Sequence, residues 1–320
     1  MEYNLKSANL HYFFSTIKTN KRYTCNRMVM KHTVKNRELD ALVSLLDEPD
    51  DMIFGKVRDK LFAYGLDAVP LLEDAWTSET SDVVQHRIEG IIHQIQFDNI
   101  FAELSSWKNA RPHDLLKGFM LVAKYEYPEM NEKSIIESTG KMIQDVWLEL
   151  NSNLTPLEKV KVLNHIFFDV YDFKGNKKDM HNPKNSYINH IYESKKANPI
   201  SLSVIYMVIA QSLKIPVYGI NLPQNFIMAY LGDMIIDYKI ISQKDVQFYL
   251  NAFNRGAVFT EKEIGLFLRQ INLESEPKYF LPCDNITIIK RVFNNLIFAF
   301  EQAGNSQKAA ELKKLQSALD

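Results

Sequence analysis

The sequence predicts a mostly helical α+β fold, and three observations carry that prediction. Apolar residues recur at helical spacing from Arg37 onward. A well-capped helix opens at Thr155-Pro156-Leu157-Glu158. One apolar helix near Asn198 then runs directly into segments rich in β-branched and aromatic residues.

Composition bounds the answer. With 320 residues, 46% hydrophobic and 24% charged, the chain has material for one large or two ordinary domains, each with a real core. A net charge of -1 argues against a wholesale nucleic-acid binder. Cys25 and Cys283 lie far apart with no C-x-x-C spacing, so two reduced thiols are expected, with no disulfide framework and a cytoplasmic setting.

Residues 1–37 hold eight Lys or Arg against one acid, with HYFFSTI as their concentrated apolar run. That run is too short for a membrane span and lacks a cleavage pattern after it. Three readings stand for segment 1–36: a disordered basic tail, a short membrane-surface anchor, or sequence upstream of a true start at Met28 or Met30. The tail reading is preferred.

From Arg37, RELDALVSLLDEP sets Leu39, Leu42, Leu45 and Leu46 on one face and stops at Pro49. The next stretch breaks at Gly65 and tolerates Pro70 in a first turn. Val83, Val84, Ile88, Ile91, Ile92 and Ile95 then mark a further helix, and another can follow Arg111-Pro112-His113-Asp114. Short helices with Gly and Pro breaks suggest an irregular helical array without a clean repeat period. His86 and His93 lie seven apart, but no third ligand has suitable spacing, so they read as helix-surface or interhelical residues and no metal is expected.

Thr155 can cap free amides, Pro156 suits the first helical position and Glu158 completes a capping box, so a helix should run from there toward Lys174-Gly175-Asn176. Between Lys174 and Lys196 stand six lysines and two acids, among His181, Asn182, Pro183, Asn185, Tyr187 and Asn189. A solvated crossover is the ordinary reading, and a nucleic-acid or acidic partner the sharper one. After Asn198-Pro199, the apolar positions Leu202, Ile205, Tyr206, Ile209 and Leu213, widened by Val204 and Val208, imply a nearly buried helix. VYGI, FIMAY and MIIDY follow as adjacent antiparallel strands, with a hairpin turn at Gly232-Asp233. Tyr206, Tyr218, Phe226 and Tyr238 are expected to fill the core rather than bind a cofactor, and none is expected.

Asp284 is a plausible cap for a helix through Ile288, Ile289, Val292, Phe293, Leu296 and Phe300. Gly304-Asn305 breaks it, and Ala309, Ala310, Leu312 and Leu315 form the facing side of a second helix. One hairpin buries too little to stand alone, so it should pack on the core.

The pieces KIPVYGINLPQNF and IIDYK resemble the GIPVYG, P-G-H-F and IDPF segments of the transglutaminase-like domain of the bacterial invasion-regulator SirB family, N-terminal domain type. FNRGAVFTEKEI continues the likeness, and the last helices resemble its tetratricopeptide-like hairpin. The resemblance implies a papain/transglutaminase-like core. The chain then divides into a tail over 1–36, a helical array over 37–150, the core over 151–270, and a linker and tetratricopeptide-like hairpin over 271–320.

Active members of the wider group use a cysteine at the helix start, a histidine on a neighbouring strand and an aspartate on the next. Here those slots fall at or near Pro199, on Asn225 and on Asp237. Proline carries no nucleophile and asparagine takes no proton, so the triad is degenerate. Ser201 and Ser203 are replacement nucleophiles only if His181 or His190 folds in as a base. Cys283 reads as an ordinary thiol. Asn225 and Asp237 together would make a structural pair.

The expected function is a non-catalytic scaffold or regulatory module with a protein partner. The alternatives are a cysteine-protease-like or amide-hydrolysing enzyme with a displaced nucleophile, and a nucleic-acid-associated protein using the basic 174–196 segment. No P-loop, dinucleotide fingerprint, HExxH or zinc-spaced cysteine set is present, which removes the common sequence-readable nucleotide and metal enzymes.

Overall fold

The computed structural model describes residues 34–232 and 241–320, with side chains described from residue 37. Cys25, Met28, Met30, Asp233, the strand expected over MIIDY, Asp237 and Tyr238 lie outside the described residues. The described residues form two compact units that divide between Asn99 and Ile100.

The first unit holds helices α1 (Val34–Val43), α2 (Asp51–Tyr64) and α3 (Val69–Ser78) and the start of α4 (Asp82–Asn109). Asp50 caps α2, its side chain accepting from the amides of Met52 and Ile53, and Gly65 ends α2 at a φ of 57°. Leu39, Leu42, Leu46, Val57, Leu61, Leu72, Trp76, Val84, Ile88, Ile91, Ile92 and Ile95 form its core. Arg87 donates to the carbonyls of Leu46 and Glu48 and lies over the Phe54 ring, closing the chain that leaves α1. Two expected core positions are solvent-facing: Leu45 at 42% exposure and Val83 at 65%. Leu45 sits past the end of α1, where the helical period no longer applies, and Val83 lies in the first turn of α4.

The second unit takes the end of α4 and continues with α5 (Leu115–Lys124) and α6 (Glu132–Glu149), which the sequence groups with the helical array; both pack on the helix centred on Tyr206. Helix α7 (Pro156–Asn164) opens with the expected capping box of Thr155 and Glu158 and widens into a π turn over His165–Val170. Its aromatic residues bury inward, with Phe167 stacked on Phe173 at 4.6 Å between centroids. The basic segment is not an open loop. Strands β1 (Lys174–Gly175) and β2 (Lys196–Ala197) pair in parallel, Lys174 opposite Lys196, and between them lie a 3₁₀ turn (Pro183–Ser186) and α8 (Ile188–Ser194).

Helix α9 (Pro199–Ser212) is buried over most of its length. Beside it lies an antiparallel sheet in the order β3 (Val217–Ile220), β4 (Ile227–Leu231), β5 (Val246–Asn251), β6 (Ala257–Phe259). β4 is paired on both edges and buried at every position, its second neighbour being β5. α9 packs on β3 and β4. Ile220, Leu222, Ile227, Ala229, Leu231 and Tyr249 instead pack with Phe280 and with Ile264 and Leu268 of α10 (Glu261–Gln270), a helix opened by a Thr260–Glu263 capping box. Tyr206 and Phe226 are core residues, and Tyr218 is half-buried.

The chain ends in an antiparallel pair, α11 (Asn285–Gln302) and α12 (Ser306–Ser317), capped by Asp284 and Asn305. Gln316 donates to the Lys290 carbonyl, and Lys313 pairs with Glu301. The pair is fastened to the unit: Asn285 donates to the His113 carbonyl at 2.7 Å, Tyr125 Oη donates to Glu311 at 2.6 Å, and Lys308 pairs with Glu126. Ala309, Leu312 and Leu315 are buried, whereas Ala310 faces solvent. Among the described residues no helix is long and apolar enough to cross a membrane.

Candidate functional site

The first turn of α9 is shaped by Asn198. Its backbone is extended, its Oδ1 accepts from the Ser201 amide at 3.0 Å, and its Nδ2 donates to Ser186 Oγ at 2.8 Å. Beside it, Asn185 Nδ2 donates to the carbonyls of Asp179 and Met180, and its Oδ1 accepts from Asn176. Asn185, Ser186 and Asn198 are all buried. The basic segment, its ends held by β1 and β2, thereby supplies a polar collar around the start of α9 through its 3₁₀ turn.

Pro199 is the first residue of α9 and offers neither a nucleophile nor an N–H. Ser201 and Ser203 are fully buried. Ser203 Oγ donates to the Pro199 carbonyl at 2.9 Å, while Ser201 Oγ has no hydrogen-bond partner. His181 is exposed and packs edge-on against Phe298 at 5.3 Å. His190 is half-buried, and burial, followed by the Lys184 charge, pulls its imidazole down. Neither histidine hydrogen-bonds to Ser201, Ser203 or Cys283. Cys283 donates through both its amide and its thiol to the Gly219 carbonyl, and burial, with Asp284 nearby, pushes the thiol up to about 12. It is the opposite of an activated thiolate.

Asn225 closes a turn. Its amide donates to the Leu222 carbonyl at 3.2 Å, with Pro223 second and Gln224 third at a φ of 58°, the positive-φ position that a type II turn gives to glycine. The PQNF segment thus takes a turn for which P-G is the ordinary sequence. Asn225 Oδ1 accepts from the Phe226 amide at 2.9 Å. The side chain lines a concavity of about 180 Å³ with Leu222, Ile227, Asn251, Phe259, Glu263, Ile264 and Phe267. That concavity belongs to the α10 face of the sheet, and no hydrogen bond joins Asn225 to Pro199, Ser201 or Ser203.

The basic segment distributes its charge. Lys174 pairs with Asp172, and Lys195 lies 4.6 Å from the Phe173 ring centre, where burial lowers its ammonium. Among the described residues no group of three or more His, Cys, Asp or Glu could hold a metal ion. Asn198 as the hub, and Asn251, Phe259, Glu263 and Phe267 as cavity walls, carry no motif in the sequence. The cluster of asparagines between 176 and 198 is the one local signal that could have pointed to the hub.

A family model described as the transglutaminase-like superfamily matches residues 133–294, just over half of the chain. A UPF0162 protein of Xylella fastidiosa is 26% identical over 206 residues, 61% of this chain and 68% of that protein. One from a second strain of that species is 30% identical over 133 residues, 39% of this chain and 46% of its own length. F-box only protein 21 of Mus musculus is 24% identical over 197 residues, 59% of this chain and 29% of that protein. The chain thus spans less than half the length of the last two. No solved structure matches it.

Proposed function

The chain belongs to the transglutaminase-like superfamily, and from that premise we propose that it is a non-catalytic member acting as a scaffold or regulatory module with a protein partner in the cytoplasm. The observation that supports this reading is the start of α9, where Pro199 is the first helical residue and the hydroxyls nearest it have no histidine within hydrogen-bond reach; we take Pro199 to fill the nucleophile slot. The narrower kinship with the SirB family and the tetratricopeptide type of the α11–α12 pair are part of the same proposal, supported by the glycine-like turn at PQNF and by the antiparallel packing of the two helices. Asn225 and Asp237 are read as replaced and retained slots of the triad, with no proton transfer between them.

Two alternatives compete. Displaced-nucleophile hydrolysis would need Ser201, Ser203 or Cys283 to meet His181 or His190. Nucleic-acid association would need the lysines of 174–196 on one free face, and Lys174 and Lys195 are already engaged.

The test is to treat the native protein with serine-reactive fluorophosphonate and thiol-reactive iodoacetamide and locate adducts by mass spectrometry. No adduct at Ser201, Ser203 or Cys283 is expected. A stoichiometric adduct lost in His181→Ala or His190→Ala would overturn the reading in favour of an enzyme.

A further inference from the structure

The segment between β1 and β2 presents a surface that the non-catalytic reading leaves unused. His181 lies edge-on against Phe298 of α11 at 5.3 Å between centroids, and both face solvent, Phe298 at 45% exposure. Met180, next to His181 in the chain, is 40% exposed. One exposed apolar side chain is ordinary, but a methionine beside two touching rings concentrates apolar surface at one place.

The chain sets cations on either side of that place. Lys177 and Lys178 precede it, Lys184 follows it in the 3₁₀ turn that packs on α11, and all three are exposed. None of them pairs with a carboxylate among the described residues, in contrast to Lys174 with Asp172. The neighbouring acids are committed: Asp179 accepts from Asn182 Nδ2 at 2.8 Å, and Glu301, one turn beyond Phe298, pairs with Lys313. The backbone that carries these groups is already fixed. Buried Asn185 donates to the carbonyls of Asp179 and Met180, and the Lys184 amide donates to Asn182 Oδ1 at 2.9 Å. Binding therefore has side chains to order, not a loop.

An apolar centre with a cationic rim defines what complements it. The rim matches carboxylates on both sides. The centre favours an aromatic side chain, because sulfur–ring and edge-to-face ring contacts add to the area buried. A nucleic-acid strand fits less well: it needs a run of cations along its phosphates, whereas segment 174–196 has no arginine and its Lys174 and Lys195 are engaged.

We propose that Met180, His181 and Phe298 seat one aromatic side chain of an acidic protein segment, with Lys177 and Lys178 pairing with carboxylates on one side of it and Lys184 on the other. This deepens the binding-module reading and rests on it, by giving the chemistry of the partner.

The test titrates the full chain, labelled at methionine methyls, with acetyl-Glu-Glu-Phe-Glu-Glu-amide and follows it by NMR. A saturable shift of the Met180 methyl is expected. Affinity should fall about tenfold in the combined Lys178→Glu and Lys184→Glu variant, with acetyl-Glu-Glu-Ala-Glu-Glu-amide, and when ionic strength rises from about 0.05 to about 0.5 M. The combined Lys178→Arg and Lys184→Arg variant keeps the charge and should bind as the native chain does. Four results would overturn the proposal: no saturable shift at Met180, equal affinity in the charge-reversed variant, equal affinity for the alanine probe, or tighter binding of octauridylate, which would give the surface to nucleic acid. Hydrolysis of the probe, seen by mass spectrometry, would instead overturn the non-catalytic reading and leave the docking surface standing, so the two failures are distinguishable.

Discussion

Asn198 and Ser186 are joined by a buried hydrogen bond, Nδ2 to Oγ at 2.8 Å, while the same asparagine caps α9 through Ser201. One side chain therefore ties the basic segment to the central helix. Truncating it removes a cap and leaves Ser186 Oγ short of a donor. Asn198→Ala is expected to cost about 2 kcal/mol, the upper end for a cap because the site is buried. Urea denaturation measures this, and a loss under 0.5 kcal/mol would show the collar to be dispensable.

The turn at Leu222–Asn225 forces Gln224 to a φ of 58°. A left-handed conformation costs an L-residue about 1–2 kcal/mol, and glycine gives back about 0.5–1 kcal/mol through its unfolded-state freedom. Gln224→Gly should thus stabilise the protein by about 0.5–1 kcal/mol. A drop in melting temperature would mean that the glutamine side chain makes contacts outweighing its backbone strain.

Tyr125 and Glu311 fasten the closing helices to α5 through a 2.6 Å hydrogen bond, with the half-buried Lys308–Glu126 pair beside it. Tyr125→Phe removes this charge-assisted hydrogen bond, leaving Glu311 its contact with Gln307, and should cost about 1–3 kcal/mol. Hydrogen exchange should rise first in α11 and α12. Uniform exchange across the unit would instead mean that the helices do not open separately.

Alkaline pH should weaken the fold. Burial pushes Cys283 from 9.0 to about 12, and Tyr127 and Tyr192 from 10.0 to about 12. Each is an acid whose folded value lies above its unfolded one, so the folded chain holds more protons through that window. Stability is fully present below about pH 9 and is lost as pH rises from about 9 to about 12. Denaturation midpoints across this range provide the check, and Cys283→Ser should flatten the lower part of the decline.

The assignment of Pro199 to the nucleophile slot can be tested by filling it. In Pro199→Cys with Asn225→His, the free amides at the start of α9 should lower the introduced thiol, giving alkylation at pH 7 about tenfold faster than that of Cys283. Equal rates would move the slot elsewhere.

What the sequence made legible is mostly local. The caps at Thr155 and Asp284 and the breaks at Gly65 and Gly304-Asn305 depend on neighbours within a turn, and all four form. The helical faces slip where helices begin or end, which is why Leu45 and Val83 face solvent, whereas Ala310 lies inside α12 on its solvent side. Strand pairing is harder to see because it is non-local. The partner of FIMAY on its second edge is VQFYLN, a run in which the sequence reading identified no element. The slots proposed at Pro199 and Asn225 rest on resemblance alone, whereas the Asn198–Ser186 link spans 12 residues and exists because β1 and β2 bring its ends together.

That two-residue ladder carries a topological consequence. Lys174 and Lys196 are paired across adjacent strands, about 5 Å apart, so the chain between them leaves and returns at nearly one point. Cutting it at the exposed Lys177 or Lys178 would sever the covalent thread while both new ends stay anchored by buried packing. The protein is therefore built as two complementary fragments that meet at β1 and β2: a tryptic nick should leave them co-eluting, and separately produced halves should find each other and reconstitute the fold.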